Sequence, residues 1–102
     1  MATIDDAVAD AIFQPLRFKI VTLLSEAPRP LYIEQIAKAL GESSRLVAHH
    51  LEILEDMGLV KSEFAIVKEA SRPVAGRFFV TTTKADETLE KIRMSLPRGN
   101  KA

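Results

Sequence analysis

Apolar residues recur along the chain at helical steps, broken by two β-like runs. Ile4, Ala7, Val8, Ala11 and Ile12 follow three- and four-residue steps and predict an amphipathic helix over about 4–13. Asp5, Asp6 and Asp10 complement the positive N-terminal end of that helix. Pro15 suits the first turn of a second helix, which buries Leu16, Ile20, Leu23 and Leu24 and ends near Glu26, before Pro28 and Pro30. Leu31 and Tyr32 read as a short extended link. Ile33, Ile36, Ala37 and Leu40 then mark a helix over 33–40, closed by Gly41 as a left-handed cap. Ser43 can accept a backbone N–H as an N-cap, opening a helix that runs to Met57 and stops at Gly58.

The period then changes. Leu59 to Val67 is rich in Val, Ile and Phe, Lys68 to Gly76 is polar and contains Pro73, and Arg77 to Thr81 is aromatic and β-branched. Together they predict a hairpin with a long loop. From Thr83, read as an N-cap, Ala85, Leu89, Ile92 and Leu96 fall on one helical stripe, and a loose tail follows Leu96. The expected fold is mainly α with a small β-hairpin (α+β), in the order α-α-α-α-β-β-α. No repeat or linker divides it, so 1–102 is expected to form one domain.

Composition bounds the function. A chain of 102 residues, 47% of them hydrophobic, can fill one compact core. No stretch approaches the roughly 18 to 20 apolar residues of a membrane span, and the N-terminal region is acidic where a secretory signal would be basic, so a cytoplasmic protein is expected. The absence of cysteine excludes disulfides, thiolate metal sites and a cysteine nucleophile. With 14 basic and 14 acidic residues the net charge is zero, so any affinity for nucleic acid must come from local placement of cations.

The stretch "SSRLVAHHLEILEDMGLV", Ser43 to Val60, concentrates the candidate chemistry. On a helical wheel Val47, Leu51 and Leu54 share the inner side, flanked by Leu46, His50, Ile53 and Met57. The outer stripe is Ser44, Arg45, Ala48, His49 and Glu52. The adjacent histidines point about 100° apart, and neither has a His, Asp or Glu at the i+4 spacing of helical zinc motifs, so this helix alone offers no metal site. His50 is expected to lay its ring on the core and hydrogen-bond backbone or solvent. His49 stands with Ser43, Ser44, Arg45 and Ala48 near a helix N-terminus, where a helix entering the major groove end-first makes its contacts. An ordinary solvated face gives the same pattern, so the stripe alone does not decide.

Three longer stretches carry a resemblance. "FQPLRFKIVTLL" (Phe13 to Leu24), "IEQIAKALGESSRLVAHHLEILEDMGLV" (Ile33 to Val60) and "GRFFVTTTK" (Gly76 to Lys84) resemble the opening helix pair, the helix-turn-helix and the returning wing strand of the ArsR-family winged helix-turn-helix regulators. The resemblance implies a helix-turn-helix over about 33–57 and a wing over about 59–81. It implies base-edge contacts from Ser44, Arg45, Ala48 and His49, with Ser43 at their cap. Ala48 departs from the serine or threonine common in the family. Metal-sensing members use cysteines near the recognition helix or late His and acidic residues, and this chain has no cysteine and no histidine after His50.

In the wing, Lys68, Arg72 and Arg77 are candidates for phosphate or minor-groove contact, joined by Lys61 and Arg17; each can equally be a solvated surface cation. Glu52, Glu55 and Asp56 repel a phosphate backbone. The apolar stripes of the first and last helices, about 4–13 and 83–96, suggest a dimer seam from Ile4, Val8, Ala11, Ala85, Leu89, Ile92 and Leu96, although the last helix can instead lie on the first. Two recognition helices about 34 Å apart read a pseudo-palindrome that one cannot, so a homodimer is expected on double-stranded DNA. The rival is a winged-helix module that docks proteins and binds no DNA. No residues suggest an enzyme, a cofactor or a metal, so any signal is expected to be an organic ligand, a protein partner or simple autoregulation rather than a metal.

Overall fold

The computed structural model describes residues 8, 12–67 and 74–95. Val8 and Ile12 lie in helical backbone and are buried; the rest of the helix expected over 4–13, with Ile4 and Ala11, falls outside the described residues, as do Lys68, Arg72 and everything after Ser95. Helix α1 spans Pro15–Glu26, with the Gln14 side chain accepting from the Arg17 backbone N–H at 2.9 Å. Strand β1 (Leu31–Tyr32), helix α2 (Ile33–Leu40) and helix α3 (Ser44–Asp56) follow. Strands β2 (Val60–Val67) and β3 (Val74–Thr81) form the wing, and helix α4 covers Thr83–Ser95.

The α2–α3 turn is short because Gly41 closes α2 at φ +68°, a conformation that costs a side-chain-bearing residue roughly 1 kcal/mol or more. Ser43 Oγ then accepts from the Leu46 N–H at 3.1 Å and starts α3. The core gathers Ile12, Ile20, Ile36, Val47, Leu51, Leu54, Leu59 and Phe79 from these helices and the base of the wing. Leu46, read as a flank of the core, is instead exposed: it stands about 90° from the middle of the stripe formed by Val47, His50, Leu51 and Leu54.

The wing differs from the sequence reading in three ways. Leu31 and Tyr32, read as a link, pair with Phe79 and Phe78 and add a third strand, giving the antiparallel order β1-β3-β2. Tyr32 meets Phe78 edge to face, with centroids 5.4 Å apart. The loop is also shorter than the expected 68–76, because Val74, Ala75 and Gly76 already pair with Val67, Ile66 and Ala65. Gly76 allows this, since a Cβ there would lie 2.7 Å from Val67 Cγ2. Finally, Thr82 rather than Thr83 caps α4, its Oγ1 accepting from the Ala85 N–H at 3.3 Å.

The start of α4 is bolted to the end of α3. Thr82 Oγ1 donates to the Gly58 carbonyl at 2.6 Å, and Lys84 Nζ donates to the Met57 carbonyl at 3.0 Å, a cation on the negative end of α3. From there α4 runs back along α1. Ser25 donates to Asp86 at 3.4 Å, and Leu89 and Ile92 share a groove with Phe18 and Thr22.

Gly76→Ala should lower unfolding stability by about 1 to 3 kcal/mol through this steric conflict, and adding Val67→Ala should recover part of the loss. Urea denaturation of the two variants checks this; equal stability of Gly76→Ala and the parent would remove Gly76 as the reason the strand extends.

Candidate nucleic-acid interface

Helix α3 is fixed in rotation by what it buries. Val47, His50, Leu51 and Leu54 face inward, so Ser44, Arg45, His49 and Glu52 are exposed and Ala48 is half-buried. Ser43, Ser44, Arg45, Ala48 and His49 therefore stand together on the N-terminal part of one helix face. Arg45 makes no ion pair among the described residues. Its charge adds to the positive end of the helix dipole. Glu52 and Asp56 are exposed farther along, so the helix is electrostatically graded: attractive to phosphate at its start, repulsive at its end.

Glu55 does not add to that repulsion. Arg77, from β3, places Nη2 2.5 Å from Glu55 Oε1, and donates through Nη2 to Ser62 Oγ at 2.9 Å. Ser62 in turn donates to Glu55 Oε2 at 2.9 Å, and the Arg77 guanidinium sits 5.0 Å from the Phe79 ring centroid. Arg77, expected among the phosphate contacts, is thus occupied in holding the wing base to α3. Lys61 lies on the opposite face of the hairpin, lining an open groove of about 470 Å³ with Arg29, Pro30, Phe78 and Val80. The structure does not bring it to the Arg45 and His49 stripe.

Behind the stripe lies a contact that sequence reasoning missed. His50 is only 6% exposed, and its Nδ1 accepts from Arg17 Nε at 3.1 Å. Arg17 is therefore directed at α3. The bond requires an unprotonated Nδ1, so His50 is the neutral Nε2–H tautomer. Burial, followed by the nearby Arg17 guanidinium and by His49, holds its pKa below the usual histidine value, against a smaller opposite pull from Glu42. The rings of His49 and His50 meet edge to face at 5.2 Å.

Of the expected dimer residues that are described, Val8, Ala85, Leu89 and Ile92 are buried in the core of the single chain, with the last helix packed along α1. Among the described residues, Phe13 (55% exposed), near the start of α1, and Met94 (75%), near the end of α4, are apolar side chains left in solvent. Two more, Phe64 (74%) and Ile66 (54%), are exposed on the wing. Among the described residues no group of three His, Cys, Asp or Glu could hold a metal ion, and no helix is long and apolar enough to cross a membrane.

This geometry matches known proteins. Residues 14–62 fit the model of the bacterial regulatory protein, arsR family. That stretch holds α1, β1, α2, α3 and the first residues of β2. An uncharacterized HTH-type transcriptional regulator of Methanocaldococcus jannaschii is 38% identical over 65 residues, a match that spans 64% of this chain and 64% of that protein. A homodimeric winged helix-turn-helix DNA-binding domain from Mycobacterium bovis, a possible ArsR-family regulator, superposes with a TM-score of 0.67 at 19% identity, covering 92% of this chain and 88% of its own. The transcriptional repressor CouR, solved on a 23-mer DNA duplex, superposes with a TM-score of 0.66 at 24% identity, covering 86% and 58%. The winged helix-turn-helix fold of this chain is thereby shared across distant sequences.

Because the folded state depresses the His50 pKa, the unfolded chain binds more protons just below the ordinary value of about 6.5. The contribution is complete above that value and is lost as pH falls through the lower folded-state pKa. Thermal melts should show stability falling as the pH drops below about 6.5, more steeply than in His50→Asn, which keeps an acceptor near Nδ1 without titrating. Parallel curves for the two proteins would contradict the depressed pKa.

Proposed function

We propose that this chain is a DNA-binding transcriptional regulator that works as a cytoplasmic homodimer on a pseudo-palindromic operator, with α3 in the major groove and the wing beside it. The observation that carries the reading is the outer stripe of α3. Ser44, Arg45 and His49 are exposed near the positive end of a helix whose opposite side is packed into the core. Arg45 is the residue for a bidentate guanine or phosphate contact, with Ser43, Ser44, Ala48 and His49 around it. Lys68 and Arg72 serve the phosphates from the wing, while Arg77 and Lys61 have the other placements described above.

The Mycobacterium bovis domain is homodimeric and CouR was solved on DNA, which supports both partners by analogy. Since Val8, Ala85, Leu89 and Ile92 fill the chain's own core, we place the dimer face around Phe13 and Met94, continued by Ile4, Ala11 and Leu96. The whole chain is taken as one domain, without cofactor, metal or catalysis, and any effector as an organic molecule. Exposed Phe64 and Ile66 favour the rival, a protein-docking module.

Fluorescence anisotropy of the chain with the duplex upstream of its own gene and with a scrambled duplex, at two salt concentrations, tests the reading. Tight, salt-steep binding that prefers the upstream duplex is expected. Arg45→Ala should cost about 1 to 3 kcal/mol on that duplex and little on the scrambled one, whereas Arg72→Ala should weaken both alike. Equal losses for Arg45→Ala would remove it as a base contact; no binding to either duplex would favour the docking module.

A further inference from the structure

We propose that Arg17 is a positioning residue for the DNA-reading helix, acting through His50, and that acid releases the reading helix by breaking the Arg17 to His50 hydrogen bond. The inference rests on the proposed DNA-binding function and adds a residue to it that touches no DNA. Arg17 sits in α1, 33 residues before its partner, and its Nε donates to the one lone pair that a neutral His50 offers toward it. The contact crosses from α1 to α3, between the scaffold and the helix carrying Arg45 and His49. Its far side is the His49 ring, 5.2 Å from that of His50. The chain of contact is thus guanidinium, buried imidazole, exposed imidazole, and it ends on a side chain of the outer stripe.

Arginine keeps its proton at every pH of interest, so the pair has two states. With His50 neutral, Nδ1 accepts and the rings are set. With His50 protonated, Nδ1 carries a hydrogen aimed at another N–H donor, and two cations stand where a hydrogen bond was. The imidazole must then turn or leave its buried position, and either movement disturbs the His49 ring beside it. Among the described residues, the groups facing His50 are Arg17 from α1, His49 from α3 and Glu42 from the turn ahead of α3, and of these Glu42 favours the charged form. His49 itself is exposed on the outer stripe of α3. Variants at His50 and Arg17 retain His49, so its contribution cancels in the comparison.

The test is the affinity of the full chain for the duplex upstream of its own gene, by anisotropy at constant ionic strength from about pH 7.5 to about pH 5.5. The parent should lose affinity in acid by about threefold to fivefold relative to His50→Asn, the part of a one-unit pKa difference between bound and free chain that is expressed by about pH 5.5. Arg17→Lys, which keeps a donor and a charge, should retain the acid loss, and Arg17→Met should reduce it. Arg17→Met and His50→Leu should also be non-additive at about pH 7.5, because each removes the same contact. Binding with the same pH profile in the parent and in His50→Asn, or additive variants, would overturn the proposal while leaving the DNA reading intact. Failure of every variant and the parent to bind either duplex at any pH would overturn both.

Discussion

The rotation of α3 about its own axis governs everything this fold presents. Four inward positions, Val47, His50, Leu51 and Leu54, lock into the packing of α1, α2 and the wing base, and a helix so held has no freedom to choose its outer face. One of the four is polar, and it is the one with a long-range partner. The apolar residues supply the burial that holds the helix down, while His50 and Arg17 add a directional bond that only one orientation satisfies. The wing is tied to the same helix from its other end through Arg77 and Glu55, so α3 is gripped at two places by side chains far away in sequence.

Neutral composition and a nucleic-acid partner are compatible because charge is sorted along and around α3. Its beginning has the dipole and Arg45; its far end has Glu52 and Asp56, with the neighbouring Glu55 neutralised by Arg77. A sum over the chain conceals this arrangement. The grading also gives the helix a direction: its first turn attracts a phosphate group and its last turn deflects one.

Local rules made the helical part legible. The stripe of α3, its Ser43 cap and the Gly41 turn depend on residues three or four positions apart, and sequence displays those directly. The partners of Arg17 and Arg77 were hidden because they lie 33 and 22 residues away, and an unpaired arginine in a sequence looks the same whether it faces phosphate or a neighbouring helix. The third strand was hidden for a related reason: two residues, Leu31 and Tyr32, are too few to show an alternating period, and their strand character is conferred by Phe78 and Phe79. The loop length was misread because Val74 to Gly76, small and close to Pro73, reads as a turn until Val67 is seen occupying the space above Gly76.

That two-residue strand also bears on how the chain finds its fold. The hairpin of β2 and β3 closes locally, and α2 and α3 are neighbours in sequence, so both pieces can form early with little loss of chain entropy. Joining Leu31 to Phe79 instead closes a loop that contains the whole helix-turn-helix and most of the wing. Such a contact becomes favourable only once both pieces are in place. The third strand is thus the seal of the structure, made last and opened first, and the junction between the helices and the sheet is where the folded chain begins to come apart.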